Sequence, residues 1–353
     1  MKAKAARNPG PRKPTMNDVA RLAGVGTMTV SRVLSGTAHV SEDTAQKVRI
    51  AVEQLQYHRN ELARVFRGQQ SRTIGLIVPY LYDSFFANCA HAIAEVVKER
   101  GYSMILTTSD EDPEIEYAAA EKMIERHVEG VVMIPARNGE ANAEMTQGLF
   151  KRTPVVAFDR PAADTAVDVV LVQNSAGARR MVEHLIQHGH KRICFAGLNR
   201  SLYTINARFT GYRQAMREAG LDEDVLWECT SQERTLSGIE EKLKSAHPPT
   251  AIFSSNNLAT RFVLSSLITA GIKIPGDMAL GGFDDFDLAE MTSPPLSVIR
   301  QPAHEMGKAA INLLFDRIEK NEISHEGNRI VLPVEMVLRR SCGCKHRIPQ
   351  VIR

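Results

Sequence analysis

From Thr73 onward, short runs of β-branched and apolar residues alternate with longer stretches whose apolar residues recur at helical spacing. Strands buried on both faces read as continuous apolar runs, and a helix between each pair lets successive strands lie parallel. The alternation therefore points to an α/β body of parallel sheets covered by helices. Predicted strands are Ile74–Val78, Met104–Thr107, Gly130–Ile134, Val155–Phe158, Arg192–Ala196, Ala251–Ser254, Met278–Gly282 and Leu296–Ile299. Phe86, Ala90, Ile93 and Val97 form a helical stripe after the first strand, and helices also fit about 114–128, 174–188, 204–219 and 257–270. The chain has 353 residues, more than one average domain, and the body reads as two Rossmann-like lobes.

The N-terminal end obeys a different pattern. Thr15-Met16-Asn17-Asp18 resembles a capping box, Val19, Ala20, Leu22 and Ala23 follow as an apolar face, and Gly24 supplies a left-handed stop. A second helix opens at Gly26-Thr27 and carries Met28, Val30, Val33 and Leu34. A third begins at Ser41, with Glu42 and Asp43 in its first turn and a core stripe of Val48, Val52 and Leu55. Two short helices around a tight glycine turn, backed by a third, make a helix-turn-helix.

Charge supports that division. Residues 1–72 hold 13 Lys+Arg against 5 Asp+Glu, whereas the remainder holds 31 against 36. A basic head on an acidic body suits a polyanion at one end only. In a helix-turn-helix the second helix enters the major groove by its N-terminal residues, which here are Thr27 and Met28, with Arg32 on the same side. Arg32 can take guanine bidentately, and Met28 can meet a thymine methyl. The alternative is that Met28 packs inward and Arg32 touches only phosphate.

The run Asn17-Asp18-Val19-Ala20-Arg21-Leu22-Ala23-Gly24-Val25, followed by Thr29-Val30-Ser31-Arg32-Val33-Leu34, resembles the headpiece of the LacI/GalR family of bacterial transcriptional repressors. The resemblance continues through Val40-Ser41, Tyr57, Asn60-Glu61-Leu62-Ala63-Arg64 and Thr73-Ile74-Gly75-Leu76-Ile77-Val78-Pro79, over nearly the whole chain. It implies that Thr27, Met28 and Arg32 read bases, that Ser31 lies near phosphate, and that a hinge helix over about 60–68 places Phe66, beside Ala63, in the operator's central minor-groove step. Gly26 stands where the family usually has Ser or Thr, and Phe66 where it usually has Leu. A hinge of this length is marginal alone, since isolated helices below about 12 residues rarely hold in water. It is expected to order on DNA beside a partner hinge, with Phe66 unstacking a base step. Packing of Phe66 between headpiece and body is the alternative.

Ligands in open α/β sheets bind beyond the carboxyl ends of strands. Asp83, Phe85 and Phe86 follow the first predicted strand, Asp159 and Arg160 the fourth, Asn256 and Asn257 the sixth, and Asp284 and Asp285 the seventh. Carboxylates and amides beside an aromatic face suit a ligand covered in hydroxyls, although polar strand ends also arise from turns and caps. The family resemblance adds that Asp159, Arg208, Asn256, Asp284 and Gln301 match effector-cleft positions, and that Asp83, Phe85, Phe86 and Arg160 match positions lining the cleft of related sugar-binding proteins. Ser84 stands where Pro is commoner and Asn257 where Asp is commoner. Arg160 with Arg208 also leaves open a carboxylate or phosphate, held by bidentate pairing.

The implied organisation is a basic tail over 1–14, a helix-turn-helix domain over 15–59, a hinge and linker over 60–71, an effector-binding and dimerisation body over 72–344, and a short tail over 345–353. Within the periplasmic-binding-protein-like body, lobe 1 comprises 72–171 with 301–330 and lobe 2 comprises 172–300 with 331–341. The expected protein is a homodimer on a double-stranded DNA operator, regulated by a sugar or sugar-acid-like effector, cytoplasmic and acting at the bacterial nucleoid. No heptad tail suggests a tetramer.

Other constellations point elsewhere only weakly. His184, His188 and His190 at a helix end complement its dipole, and no metal is expected. Cys342 and Cys344 lack redox spacing and read as reduced surface thiols; the odd count of five cysteines suits a reducing compartment. No nucleotide-binding glycine fingerprint or catalytic motif occurs, so neither cofactor nor enzymatic activity is expected. No run approaches the roughly 18 apolar residues of a membrane span, and the N-terminus lacks an export h-region. The rival classes are a periplasmic-type sugar-binding protein, which needs an export signal and no basic head, and a Rossmann-type enzyme, which needs that fingerprint.

Overall fold

The computed structural model describes residues 14–35, 40–57, 70–136, 148, 153–162, 167–320, 327–343 and 350–352. The chain divides into two units, residues 1–71 and 72–353.

The first unit holds α1 (Met16–Ala23), α2 (Thr27–Ser35) and α3 (Glu42–Gln54). Thr15 and Asp18 make the capping box, with Asp18 Oδ2 accepting from the Thr15 amide at 2.9 Å and from its hydroxyl at 2.6 Å. Gly24 ends α1 at φ 66°, a left-handed conformation that glycine adopts without Cβ strain. Val19, Ala20, Val30, Val48 and Ala51 form the core, and Val52 and Leu55 pack against it half-buried. Met28 is 69% exposed, which removes the inward-packing alternative for this side chain. The hinge expected over 60–68, with Ala63 and Phe66, lies outside the described residues.

The second unit contains two sheets. The first joins β1 (Thr73–Val78), β2 (Ser103–Thr108), β3 (Gly130–Met133), β4 (Val155–Phe158), β5 (Asp168–Val172) and β11 (Arg329–Leu332) in the order β11-β5-β4-β3-β1-β2, all parallel. The second joins β6 (Ile193–Ala196), β7 (Asp224–Leu226), β8 (Ala251–Ser254), β9 (Ala279–Phe283), β10 (Ser297–Arg300), β12 (Glu335–Leu338) and β13 (Gln350–Ile352) in the order β13-β12-β10-β9-β8-β6-β7. Only β12 and β13 run antiparallel to their neighbours. The helices are α4 (Ser84–Glu99), α5 (Pro113–Glu125), α6 (Asn174–Gln187), α7 (Tyr203–Glu218), α8 (Gln232–Leu243), α9 (Asn257–Thr269) and α10 (Ala303–Lys320). One hydrophobic core runs through both sheets, from Ile74 and Leu76 to Phe195 and Tyr212.

The eight predicted strands all form, with ends moved by a residue or two. β5, not among the predicted strands although residues 169–172 form an apolar run, opens on Asp168, a buried carboxylate clamped by Arg317 Nε and Nη2 of α10 at 2.7 Å each. β11 pairs with β5 through Leu332, so the chain leaves the first sheet at that point, and the residues read as a tail supply β13 to the second sheet.

Cys342 corrects an expectation: it is buried, and its sulfur takes a hydrogen bond from Ser297 Oγ at 3.2 Å and lies 3.4 Å from His184 Nε2. The β12 turn tucks it under the second sheet, a placement only the fold decides. Cys344 lies outside the described residues. His188 packs edge-on against His184, whereas His190 bonds Thr250 Oγ1 at 3.0 Å, so the histidine motif serves separate partners.

Candidate functional site: a helix-turn-helix face and an interlobe cleft

In the first unit, the N-terminal turn of α2 presents Thr27 and Met28 outward, Arg32 is exposed one turn on, and Ser31 is half-buried beside it. The Gly26 carbonyl accepts from Thr29 at 2.9 Å and Val30 at 3.1 Å, so α2 starts tightly after α1 without a side-chain cap from position 26. The geometry displays an apolar thioether and a guanidinium on the open face of a short helix.

In the second unit, a cavity of about 370 Å³ lies between the two sheets. Nine residues singled out in the sequence line it. Asp83, Phe85 and Phe86 come from the turn into α4, Asp159 and Arg160 from the end of β4, Arg208 from α7, Asn256 from the end of β8, Asp284 from the end of β9, and Gln301 from the crossover after β10. Glu111, Tyr80 and Thr230 also line it and were not anticipated, because each sits in a loop whose sequence carries no periodic signal.

Several of these side chains hold the scaffold as well as the cavity. Asp83 caps α4 by accepting from the Phe85 amide at 2.9 Å, and Asn256 caps α9 by accepting from Ala259 at 2.9 Å. Asp159 and Asp284 occupy matching strand ends in the two lobes, with φ of 64° and 73°. That conformation is sparsely populated outside glycine and costs on the order of 1 kcal/mol or more, and such strain gathers at ligand sites. Each is held by its amide, Asp159 donating to Val170 O at 2.9 Å and Asp284 to Ile299 O at 2.8 Å.

The electrostatics are organised in pairs. Arg160 grips Glu111 through Nη1 and Nη2, both at 2.6 Å, and its Nε lies 3.4 Å from Asp159 Oδ2. Arg208 donates from Nε to Asn174 Oδ1 and from Nη1 to Ser255 O, both at 2.8 Å, and reaches Asp284 Oδ2 at 3.2 Å, with its guanidinium stacked 3.8 Å over Phe283. Gln301 Nε2 donates to Asp284 Oδ1 at 2.6 Å. Burial pushes the Asp159 carboxyl up to about 6 despite both arginines, and burial with Asp284 nearby also raises Asp83.

Side-chain bonds span the lobes: Asn257 Nδ2 donates to Asp83 Oδ1 at 2.8 Å, tying the start of α9 to the start of α4, and Arg329 Nη2 of β11 donates to the Tyr203 hydroxyl of α7 at 3.1 Å. Asp285, beside the cleft residue Asp284, turns away to bind Arg300 and Arg339. Among the described residues no group of three His, Cys, Asp or Glu is placed to hold a metal, and no helix is long and apolar enough to cross a membrane.

A head of this kind on two parallel-sheet lobes with a polar cleft defines a class, and comparison with known proteins agrees. Residues 15–60 match the family model described as bacterial regulatory proteins, lacI family, and residues 182–342 match that of a periplasmic binding protein-like domain. The chain belongs to the lacI family of bacterial regulatory proteins, a family of DNA-binding transcriptional regulators rather than enzymes. It is 32% identical over 330 residues to the HTH-type transcriptional repressor PurR of Actinobacillus pleuropneumoniae serotype 3 (strain JL03), covering 93% of this chain and 98% of that one. Among solved structures it resembles a transcriptional regulator CelR–cellobiose complex at 29% identity and TM-score 0.69, covering 93% of this chain and 99% of that one. A lac repressor dimer bound to operator and the anti-inducer ONPF shares the fold at 24% identity and TM-score 0.81, covering 94% and 99%.

Proposed function

We propose that this protein is a transcriptional repressor that binds a pseudo-palindromic operator as a homodimer and is switched by a small polyhydroxylated or related effector held between its lobes. The observation that carries the reading is the pairing, in one chain, of a helix-turn-helix with a polar interlobe cavity walled by residues of both sheets. Relatives support it: PurR is a repressor, the lac repressor dimer was solved on operator, and CelR was solved with cellobiose. Its place of action is the cytoplasmic chromosome.

In this reading Thr27, Met28 and Arg32 contact base edges and Ser31 a phosphate, while two copies place their α2 helices in successive major grooves. Residues 60–71 join the reading head to a body over 72–344, and Ala63 and Phe66 enter the minor groove when the hinges order. The effector contacts Asp83, Phe85, Phe86, Asp159 and Arg160 on one side, Arg208, Asn256 and Asp284 on the other, and Gln301 at the crossover between them. A ligand touching both lobes biases their relative tilt by its differential affinity for the two arrangements, and the hinges transmit that bias to DNA.

The test is operator affinity against salt. Log affinity falls with a slope of about −0.9 per neutralised phosphate, a specific site binds tighter than random duplex, and effector changes the specific affinity alone. A flat salt dependence removes the DNA-binding role.

A further inference from the structure

The cleft carries information about the charge of its ligand, which the reading above leaves open. Two arginines line it, and paired arginines usually advertise a carboxylate or phosphate. Such recognition relies on the guanidinium presenting two parallel N–H bonds along one edge. In Arg160 the outer edge is already closed on Glu111 by two 2.6 Å bonds and Nη1 also faces Pro135 O at 3.3 Å; Nε, 3.4 Å from Asp159 Oδ2, makes no hydrogen bond and is a single donor rather than a bidentate edge. In Arg208 Nε is taken by Asn174 and Nη1 by Ser255 O and Asp284, so both edges have lost a member and Nη2 alone remains for a ligand. Arg160 and Arg208 are 4% and 2% exposed, so neither can swing out to re-pair.

The remaining polar groups lean the other way. Four carboxylates, Asp83, Glu111, Asp159 and Asp284, share the cavity with those two cations, and it is lined by no Lys or His. Once Glu111 and Asp284 are matched to the arginines, Asp83 and Asp159 are left as surplus negative charge. Asp83 Oδ1 is filled by the Phe85 amide and Asn257, and no bond to the cleft is made by its second oxygen among the described residues. Gln301, 7% exposed and shared by this cavity with a second one of about 450 Å³, donates its amide to Asp284, and its Oε1 is buried without a partner. A buried acceptor left empty is costly, so Gln301 asks for a donor, against the one unpartnered donor at Arg160 Nε.

We propose that the cleft selects an uncharged, hydroxyl-rich ligand and discriminates against the carboxylate and phosphate derivatives of the same carbon skeleton. This rests on the cleft being the effector site. Hydroxyls donate to Asp159, Asp83 and Gln301 Oε1, and one hydroxyl or ring oxygen accepts from Arg208 Nη2. An anion offers acceptors to acceptors and adds a like charge beside buried carboxylates, where repulsion is screened less than at the surface.

The experiment is calorimetric titration of the full-length protein with matched sets: D-glucose, D-gluconate and glucose 6-phosphate; D-galactose and D-galactonate; D-ribose and ribose 5-phosphate; cellobiose; and hypoxanthine as a flat, uncharged comparator. The expected result is binding of at least one neutral polyol, with its acid or phosphate at least tenfold weaker. Asp159→Asn should narrow that ratio while weakening the neutral ligand, and Asp83→Asn supplies the same readout should the first variant not fold. Equal or tighter binding of an acid or phosphate overturns the inference, as does binding of hypoxanthine alone or of no neutral polyol in the set. Operator affinity measured with the bound compound separates the two levels: an anion that alters DNA binding sinks the charge selection and leaves the effector reading intact, whereas a bound polyol with no effect on DNA sinks the effector reading.

Discussion

Arg32 and Asp159 show two ways in which a single side chain acts. Arg32 stands exposed on α2, and the reading of bases assigns it bidentate hydrogen bonds to one guanine. Arg32→Ala is expected to cost about 1–3 kcal/mol on the preferred operator and to relax selectivity at one base pair. Competition binding over a set of single-base operator variants checks this; a uniform loss at every position would assign Arg32 to phosphate instead. Asp159 is a carboxylate whose ionisation the fold opposes, since burial lifts it to about 6 from an ordinary 3.8. The folded state therefore binds its proton more tightly than the unfolded chain, and the group's contribution to stability is lost as pH rises from 3.8 through about 6. Asp159→Asn, which keeps the shape without the charge, is expected to melt higher than the parent at pH 7, with the gap shrinking towards pH 4. Melting temperatures across that range test it, and a gap independent of pH would mean that the carboxylate ionises without penalty. The position of Arg32 on the second helix and the placement of Asp159 at a strand end were both legible in the sequence, because helix position and strand-end position follow from local pattern. Glu111 was not legible, since only the tertiary structure folds the 109–112 turn over Arg160.

Helices and strands here are held by a few specific fastenings as well as by apolar area. β5 is the clearest case, because its first residue, Asp168, is 1% exposed and satisfied by Arg317 of α10 and the Asn328 amide. Removing one partner of a buried pair leaves an uncompensated charge, so Arg317→Ala is expected to destabilise the body by about 3–5 kcal/mol. Denaturant unfolding followed by circular dichroism gives the number, and a loss below about 1 kcal/mol would place Asp168 in contact with water. The α6–α7 pair is fastened differently. A Cβ at Gly211 would overlap the Ser175 carbonyl oxygen, so the helices approach closely only because that position lacks a side chain. β5 was not among the strands read from the sequence, although residues 169–172 are themselves an apolar run; what local sequence does not show is the partner of its buried aspartate, which lies 149 residues away.

For the whole molecule, the contact to test is the Asn257–Asp83 bond between the lobes. An Asp at position 257 would set two carboxylates against each other there. Asn257→Asp is expected to separate the lobes in the absence of ligand, raising the radius of gyration of the body in solution scattering, and to shift operator affinity while leaving binding to random duplex unchanged. Unaltered scattering together with unaltered operator affinity would show that the bond does not govern lobe closure. The change acts on a pre-existing balance between arrangements, so its effect on DNA is limited to the difference in free energy it imposes on them.

By itself the sequence determined the division into a basic three-helix head and an acidic α/β body, the eight strands that follow the apolar-run pattern, and the strand-end residues that come to line the cleft. These are local matters of side-chain periodicity, caps and turn chemistry, and each is written within a dozen residues of chain. Tertiary structure alone decided that the two arginines are neutralised inside the cleft, that Cys342 is buried beside His184, and that Asn257 meets Asp83. Those pairings join residues far apart in the chain: the arginine pairs and the Cys342–His184 contact exist only once each lobe has folded, and the Asn257–Asp83 bond only once both lobes meet.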